Sequence, residues 1–436
     1  MRRLLINRNY ARMWFGYSIS ALGDQIFHTT VLLWIATVLL KDHRLAPVAV
    51  AGVVMMVSVA TILVGPFAGV LVDRWDKRRT MLATDMFRAV VVGALTLFAF
   101  LPPGAVGVTA NLAMIYGTIL LTSAATQFFR PAWFTLTSDV VPGEADRARA
   151  AGIGQRTIAT MVIIGPPMAA PLLFAFGYQW ALLLNALSFL VSYLAVRGVR
   201  PPDTPPSPDA ERPGMWPEFK AGLRFLLANR VLVAMLLSAV IVTAGAGSLN
   251  TLDVFFVTEN LHAPPDFYGF LATAEGVGIV VGSLLTGWLV ARLGGIRVFW
   301  AGLIATGAII VVYARQTSLV PAMVILAAVG TTMGAVNASI GPILMGTVPR
   351  ELMGRVVSAF APVQQIAGIL SSLMVGWLAA TVLGGLRLTV GPVTFGRLDA
   401  IFTCAGLLFI AGGLASAIAL RAPRDGPGRA GQLTGT

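Results

Sequence analysis

The stretch that decides the fold is residues 65–89, which read GPFAGVLVDRWDKRRTMLATDMFRA. It closes one apolar segment, passes through a loop rich in Arg and Lys, and opens a second apolar segment. Residues 47–72 and 81–101 are each long enough to span a membrane, because about 20 apolar residues cross about 30 Å of hydrocarbon. The basic loop between them predicts that both helices end on the cytoplasmic side.

The composition of the whole chain supports this interpretation. Of 436 residues, 57% are apolar and 11% are charged, whereas a soluble domain has about 25% charged residues. This excludes a soluble enzyme, a disordered chain and a repeat solenoid. The net charge of +12 is explained by basic cytoplasmic loops, so no nucleic-acid partner is expected. A single cysteine, Cys404, and three scattered histidines predict neither a disulfide framework nor a metal site.

The uncharged windows predict an all-α integral membrane protein of twelve transmembrane helices. The spans lie at about 13–38, 47–72, 81–101, 111–132, 152–175, 179–196, 231–256, 268–291, 298–313, 319–344, 356–380 and 399–420. With the N-terminus inside, 24 Lys and Arg residues fall on the cytoplasmic side and 5 on the other. This asymmetry predicts a multi-pass protein of a bacterial inner (plasma) membrane with both termini in the cytoplasm.

The chain divides at its longest polar break. Seven prolines between 201 and 217 exclude a long helix there and favour an extended linker. The stretch that follows has the pattern of an amphipathic surface helix. We therefore expect a six-helix half over 1–196, a cytoplasmic linker and amphipathic helix over 197–230, a second six-helix half over 231–420, and a cytoplasmic tail over 421–436.

The second half repeats features of the first. Residues 69–79 align with 287–297, and VPGE at 141–144 matches VPRE at 348–351. A third, shorter pair keeps the same order and a similar offset. Ordered pairs of this kind indicate two pseudo-symmetric halves, and a duplicated membrane protein carries its substrate path at the interface of the halves near the membrane midplane.

These stretches carry a family resemblance. GVLVDRWDKRR at 69–79 resembles the signature of the second loop of the major facilitator superfamily. The longer stretch 65–89, SALGD at 20–24 and FFRPAWFTLTSDVVP at 128–142 resemble the branch that includes macrolide efflux proteins and the enterobactin exporter. The resemblance implies the major facilitator fold and a secondary active transporter that works by alternating access.

The resemblance also implies a conformational latch at the signature loop, formed by Gly69, Asp73, Arg74, Arg78, Arg79 and Arg130. In the family this loop stabilises the outward-facing state. We expect Gly69 to let two helices approach closely, and Arg130 to reach Asp73 or Asp139. The alternative is that the basic residues only hold the loop on the cytoplasmic side.

Span 5 contains Gly165 and Pro166, which resemble the Gly-Pro motif of antiporters in the superfamily. Proline removes a backbone hydrogen bond and glycine removes side-chain bulk, so we expect a hinge here. The family follows this motif with paired glycines, whereas this chain has Ala169 and Ala170. A kinked packing helix with no role in coupling is the alternative.

Ionisable side chains at membrane depth are costly and are functional candidates by default. Asp24 lies near the middle of span 1, and His28 lies on the same side of that helix, whereas neighbouring Gln25 points about 100° away. Glu275 lies well inside span 8. The alternative for each acid is a structural ion pair or hydrogen bond. Gln364 and Gln365 in span 11 are candidates for the lining of the cavity.

Other charged residues in the spans are interpreted as structural. Asp85 and Arg88 are three residues apart in span 3 and are expected to pair locally. Asp253 and Asp399 lie near the outer ends of their spans and are expected to face water. The family often carries an arginine in the middle of span 4, but residues 111–127 contain none, and Arg156 in span 5 is a substitute candidate.

These features favour one function and leave an alternative open. We expect a proton-coupled exporter of small amphiphilic compounds such as drugs, macrolides or a siderophore, acting as a monomer in the bilayer and needing no cofactor beyond the proton gradient. The alternative is a transporter of lysophospholipids or similar lipids. No phosphate-binding loop, G-x-S-x-G or H-E-x-x-H occurs, so an ATP-driven pump and an enzyme are disfavoured.

Overall fold

The computed structural model describes residues 6–102, 104–200, 223–348, 353–383, 388–390 and 393–420. In this part of the chain, twelve helices are long and apolar enough to cross a membrane. The expected all-α membrane architecture of twelve transmembrane helices is therefore confirmed.

Six of these helices form the N-terminal half: α1 Arg8–Leu33, α2 Ala46–Arg74, α3 Lys77–Ala99, α4 Val108–Val140, α5 Glu144–Pro171 and α6 Tyr178–Arg197. Two of them, α1 and α5, continue into π-helical turns at Trp34–Leu39 and Leu172–Phe176. These turns lie next to each other in the folded chain, because Trp34 stacks on Tyr178 directly after the second turn, with ring centroids 4.1 Å apart.

The other six form the C-terminal half: α7 Arg230–Glu259, α8 Tyr268–Leu293, α9 Gly295–Tyr313, α10 Leu319–Thr347, α11 Met353–Ala380 and α12 Arg397–Ala419. A short 3-10 helix, Pro265–Phe267, leads into α8. The sequence did not predict the hairpin before α12, in which β1 Leu388–Val390 pairs antiparallel with β2 Val393–Phe395. Each strand is only three residues long, too short for a periodic signal.

Side-chain caps explain why several helices begin where they do. The Asn7 side chain accepts a hydrogen bond from the backbone N–H of Tyr10 at 2.8 Å, and Asp76 accepts one from Arg79 at 2.6 Å. Asn229 caps α7 in the same way. Asp and Asn suit this position because a short polar side chain satisfies an N–H that has no partner within the helix.

Helix α4 is longer than the sequence predicted, ending at Val140 instead of near residue 132. Pro131 lies inside it, but one proline removes only one backbone hydrogen bond. The turns after Pro131 are retained because Leu136 and Val140 are buried in a cluster with Met13 of α1. Arg130 therefore lies ten residues before the helix end, about 15 Å inside it.

The segment between the halves is only partly described. Residues 223–228, within the segment expected to form an amphipathic helix, are helical, and the rest of that segment lies outside the described residues. Leu226 is fully buried in a small cluster that includes Leu232 and Val348. The proline-rich linker at 201–217 and the tail at 421–436 lie outside the described residues, and the expected domain limits stay predictions.

The two halves contact each other at the end of the bundle that carries the α1–α2 and α7–α8 loops. There, α2 packs against α11, and Arg44 donates hydrogen bonds to the backbone carbonyls of Ala380 and Thr381 at the C-terminus of α11. Cations at a helix C-terminus are favourable because of the helix dipole. Gly376 of α11 packs against the backbone of Pro47. We refer to this end of the bundle as the closed end.

Helix α5 packs against α8 at the same end. Pro167 has no N–H, so the carbonyl of Ile163 one turn earlier has no partner within α5. The hydroxyl of Thr273 in α8 donates to this carbonyl at 2.8 Å and shares its proton with the carbonyl of Gly269 in its own helix at 2.9 Å. One turn away along α8, Gly269 lies directly against the backbone of Pro166. The carbonyl that proline leaves unpaired is thus satisfied by the opposite half, which is how prolines are tolerated at membrane depth.

The halves are separated at the opposite end, which we call the open end. A Cβ atom added to Gly69 of α2 or to Gly287 of α8 would meet no described atom within 4 Å. Leu284 on α8 is 78% exposed. The close approach expected at Gly69 is therefore absent among the described residues of this state of the protein.

The bond between Thr273 and Ile163 generates a prediction. We expect Thr273→Val, which keeps the side-chain shape but removes the donor, to shift the equilibrium away from the state with this end closed. A lost hydrogen bond of about 1 kcal/mol corresponds to about a fivefold change in the ratio of the two states. Pairs of spin labels across the closed end, introduced after replacement of Cys404, would measure it.

A matched control lies on the same helix. The Thr286 hydroxyl is buried and, among the described residues, donates to the carbonyl of Gly282 in its own helix, at 2.8 Å. We expect Thr286→Val to leave the distance distribution unchanged. If the Thr273 and Thr286 variants behaved alike, the bond between the halves would have no role in holding this end closed.

Candidate functional site

The centre of the N-terminal half contains a cluster of charged side chains. Asp24 of α1 lies sixteen residues after Arg8, about 24 Å along the helix, and its side chain is 36% exposed. Its carboxylate lies 3.8 Å from the guanidinium of Arg88 in α3. The sequence indicated that Asp24 is deep in the membrane but did not indicate that Arg88 is its partner.

Arg88 is also paired within its own helix. It donates to Asp85 at 2.5 Å, as the spacing of three residues predicts, and the hydroxyl of Ser192 in α6 donates to the other oxygen of Asp85 at 2.7 Å. Arg88 is 2% exposed and the Asp85 side chain is fully buried. One buried cation is therefore shared between a buried carboxylate and a partly exposed one.

Two aromatic rings hold the guanidinium in place. Its central carbon lies 4.6 Å from the ring centroid of Phe129 in α4 and 4.4 Å from that of Phe189 in α6. A cation over the face of an aromatic ring is stabilised by about 0.5–2 kcal/mol, more when water is excluded. Four helices, α1, α3, α4 and α6, thus meet around Arg88.

Two further polar side chains surround Asp24. The amide of Asn185 in α6 hydrogen-bonds to its carboxylate, and Arg130 of α4 acts on it electrostatically. The sequence placed Arg130 near the cytoplasmic end of span 4, reaching Asp73 or Asp139. In the structure Arg130 lies within electrostatic range of Asp24 and Tyr17. The side chain of Asp73 lies outside the described residues, so the expected contact of Arg130 with Asp73 or Asp139 stays a prediction.

The predicted hinge lies beside this cluster. Gln25, next to Asp24, packs directly on Gly165 of α5, where a Cβ atom would collide with the Gln25 side chain. Helix α5 runs through Pro166 without interruption before its terminal π turn. On the opposite side, Pro166 contacts α8. The Gly165–Pro166 pair therefore joins the acid-bearing helix α1 to the second half of the protein.

Three other predicted site residues have few described contacts. His28 is half-buried and meets the ring of adjacent Phe27 edge to face, with centroids 5.8 Å apart. Gln364 and Gln365 on α11 are also half-buried. The described part of the chain shows no hydrogen bond from these three side chains, so their role as cavity lining stays a prediction.

The C-terminal half contains an acidic cluster in which a tyrosine hydroxyl, and not an arginine, is the described partner of the buried acid. Glu275 of α8 is half-buried and interacts electrostatically with Asp253 of α7. The hydroxyl of Tyr313, fully buried in α9, donates to Asp253 at 3.1 Å. The expectation that Asp253 faces water is wrong, since it is 8% exposed. The sequence did not indicate that Asp253 is buried, because its hydrogen-bond donor, Tyr313, lies sixty residues away in the chain.

Asp399 also differs from its prediction. Its carboxylate accepts hydrogen bonds from the side chain of Asn260 at 2.6 Å and from the backbone of Gly396 at 2.8 Å, and lies 3.6 Å from Arg315. It is 9% exposed. Asp399 therefore caps α12 and ties three loops at the closed end together instead of facing water.

Comparison with known proteins places this architecture in a family. The family described as transmembrane secretion effector matches residues 4–396 of the chain. The chain belongs to this family. It is accordingly a transporter of the major facilitator superfamily, and its relatives and structural neighbours are transporters, not enzymes.

The relatives include both uncharacterised and named transporters. An uncharacterised major-facilitator-type transporter of Bacillus subtilis, YkuC, is 28% identical over 86% of this chain and 85% of its own. The multidrug efflux pump Tap of Mycobacterium bovis is 26% identical over 83% and 85%. Macrolide efflux protein A of Streptococcus pyogenes is 23% identical over 63% and 65%. Efflux is thus a recurrent name among proteins similar to this transporter.

Solved structures support the fold. A point mutant of the nucleoside transporter NupG superposes with a TM-score of 0.74, at 11% identity, over 95% of this chain and all of its own. At so low an identity the match concerns the fold alone.

In this transporter the signature loop is anchored to its own half. Arg78 donates to the carbonyls of Val196, at 3.4 Å, and Arg197, at 2.5 Å, at the C-terminus of α6. Arg74 and Arg79 are exposed at the open end. The side chain of Asp73 lies outside the described residues. Both described contacts of Arg78 thus lie within its own half, and the latch stays a prediction.

The contact between Gln25 and Gly165 generates a second prediction. We expect Gly165→Ala to push α1 away from α5 and to destabilise the protein by about 1–3 kcal/mol, as overpacking does. Thermal unfolding in detergent would measure it. Gly152→Ala, on the same helix but with no described atom within 4 Å of an added Cβ, is the control and should be neutral or slightly stabilising. Equal melting temperatures for the two variants would contradict the packing argument.

Proposed function

We propose that this transporter is a proton-coupled exporter of small amphiphilic compounds, such as drugs, macrolides or a siderophore, and that it works by alternating access. The efflux names of its relatives support the direction of transport. The chain contains 16 Met and 23 Phe. These side chains adapt to varied apolar ligands, so they would suit a hydrophobic substrate path.

The proposal rests mainly on the position of Asp24 and on its charged neighbours. It is a carboxylate at membrane depth, partly exposed, beside a buried arginine that has a second carboxylate as partner. An acid of this kind can lose its charge by taking a proton and regain it by releasing the proton. A purely structural ion pair would not need to be open to water.

The state of the protein fits one half of an export cycle. With the orientation expected from loop charge, the open end faces the cytoplasm and the closed end faces outward. Asp24 would release its proton to the cytoplasm in this state, and the substrate would enter from the same side. Reopening at the other end would release the substrate and reload Asp24.

Location and assembly are part of the proposal. Basic residues concentrate in loops on one side of the twelve spans, which supports a bacterial inner membrane with both termini in the cytoplasm. We propose that the protein acts as a monomer, with its path between its own two halves, and that the proton gradient alone drives it.

One observation favours a second candidate, the transport of lysophospholipids. Arg149 and Arg156 line a pocket of about 340 Å³ on α5, together with the small residues Ala148 and Gly152. This depression lies on one helix towards the open end, and its two arginines have the charge that a phosphate headgroup would need.

The test is a transport assay on the full chain in proteoliposomes with an acidic interior. Candidate drugs and, separately, fluorescent lysophospholipids are added while an internal dye reports pH. We expect a drug to cause alkalinisation with wild-type protein and Asp24→Asn to abolish it, because the amide cannot carry a proton. Alkalinisation with lysophospholipid alone would favour the second candidate.

The matched control is Asp42→Asn. Asp42 is exposed in the α1–α2 loop with a φ of 58°, a conformation that asparagine accepts readily. We expect this variant to transport like the wild type. If Asp24→Asn and Asp42→Asn both retained coupled transport, Asp24 could not be the proton carrier.

A further inference from the structure

Helix α5 meets α8 along one face at the closed end. Thr273 donates to the carbonyl of Ile163, and a Cβ atom added to Gly276 would lie 3.4 Å from the Ile163 side chain. Gly269 lies against the backbone of Pro166. The two helices run in opposite directions here, because a higher number on one is paired with a lower number on the other. These contacts define the face of α5 that points towards α8 and the register between the two helices.

The same face of α5 continues to the open end. A helix turns by about 100° per residue, so residues seven and eleven positions before Ile163 return to within about 20° of its direction. These residues are Arg156 and Gly152, and both are exposed. The opposite side of α5 is occupied, since the indole N–H of Trp14 in α1 donates to the hydroxyl of Thr157 at 2.7 Å. Arg156 therefore lies in the gap between the halves, on the α8 side of its helix.

Arg156 has space beside it and no described acidic partner. A Cβ atom added to Gly152 would meet no described atom within 4 Å, and the described salt bridges do not include Arg156. After Asp146, helix α5 contains no further Asp or Glu. The guanidinium borders the pocket of about 340 Å³ that is lined by Ala148, Arg149, Gly152, Ile153 and Arg156.

The surface of α8 that would close over Arg156 carries no negative charge. The register of the closed end, continued along both helices, places Arg156 opposite residues 279–284, which read IVVGSL. Leu284 is 78% exposed at the open end. The next charged residues, Arg292 and Arg297, have the same sign as Arg156. Closure of this end would therefore move a hydrated arginine against an apolar surface that is bordered by further positive charge.

A cation enclosed between helices without a counter-charge is strongly unfavourable. Glu275, the nearest acid on α8, lies about 100° away from the direction of Gly276, which faces α5. It interacts electrostatically with Asp253 in its own half. An anionic group on a ligand would supply the missing charge, because carboxylate and phosphate oxygens accept paired hydrogen bonds from a guanidinium.

We propose that Arg156 binds the anionic group of the transported compound, and that this group is the counter-charge that allows α8 to close over α5 at the open end. The inference rests on the alternating access of the proposed function. It narrows the substrates to amphiphiles that carry a carboxylate, a phosphate or a similar group. Without that group the cost of enclosing Arg156 keeps this end open, and with it the two helices meet.

The test measures the distance between spin labels at the exposed positions Ala145 of α5 and Leu293 of α8. It uses the full chain in phosphatidylcholine nanodiscs, after replacement of Cys404. Dodecyl phosphate and dodecyltrimethylammonium are probes of equal chain length and opposite charge. We expect dodecyl phosphate to shift the labels towards shorter distances, and the cationic probe to leave them unchanged.

Two substitutions of the arginine separate its charge from its shape. Arg156→Gln should raise the dodecyl phosphate concentration needed for half of the effect at least about tenfold, since it removes charge-assisted hydrogen bonds. Arg156→Lys keeps the charge but loses the fork of donors, so its response should fall between wild type and Arg156→Gln. Arg8→Gln removes an exposed arginine at the same end but outside the gap, and should respond like the wild type.

A further variant supplies the counter-charge from α8 itself. Leu284 is exposed, so Leu284→Glu removes little packing in the open state. We expect this variant to close the open end without any ligand, whereas Leu284→Gln, which has the same length without the charge, should stay open. Adding Arg156→Gln to Leu284→Glu should restore the open state, because the new acid then has no cation to meet.

Several outcomes would overturn the proposal. Equal responses to the two dodecyl probes, or an unchanged response in Arg156→Gln, would exclude a role for the counter-charge. Inorganic phosphate alone, if it acted at the same concentration as dodecyl phosphate, would overturn the assignment to an amphiphile.

The distances are measured without a proton gradient, which separates this inference from the proposed function. Failure of the dodecyl phosphate response, together with loss of coupled transport in Asp24→Asn, would overturn the role of Arg156 and leave the proton-coupled exporter. A response that depends on Arg156, in a protein whose transport does not need protons, would support this inference and overturn the proton coupling.

Discussion

A peptide group in the hydrocarbon of a bilayer has no water to bond to, and the structure of this transporter follows from that constraint. Helices satisfy almost every backbone group internally, so twelve of them fill the described chain. The exceptions are informative. Where Pro167 leaves the carbonyl of Ile163 without a donor, the hydroxyl of Thr273 supplies one from the other half. A local defect in one helix thus becomes a contact between two halves.

The same constraint acts on charged side chains, which must be paired to stay at membrane depth. In the N-terminal half one arginine serves two carboxylates, and the aromatic rings of Phe129 and Phe189 share in covering it. In the C-terminal half Asp253 is bonded by the Tyr313 hydroxyl, and Glu275 lies near it. The two halves are related in fold but differ in how their buried charges are paired.

The loops at the two ends of the bundle make different kinds of contact. At the closed end Arg44 and Asp399 join segments that are far apart in sequence, through bonds to helix termini and to neighbouring side chains. At the open end Arg78 binds the C-terminus of α6 within its own half. The described contacts at the closed end thus join the two halves or distant loops, whereas those of Arg78 at the open end stay within one half.

The sequence by itself determined the number, order and approximate limits of the spans and the position of Asp24 well inside span 1. These are properties of one segment at a time, since hydropathy and charge are read along the chain. It also determined the pair of Asp85 and Arg88, because residues three apart on a helix are neighbours. Only the tertiary structure decided that Arg88 also reaches Asp24, that Asp253 is buried and that Gly69 faces open space. Membrane helices are apolar on most sides, so periodicity does not mark which face packs inward, and such contacts depend on how helices rotate and which neighbours they meet.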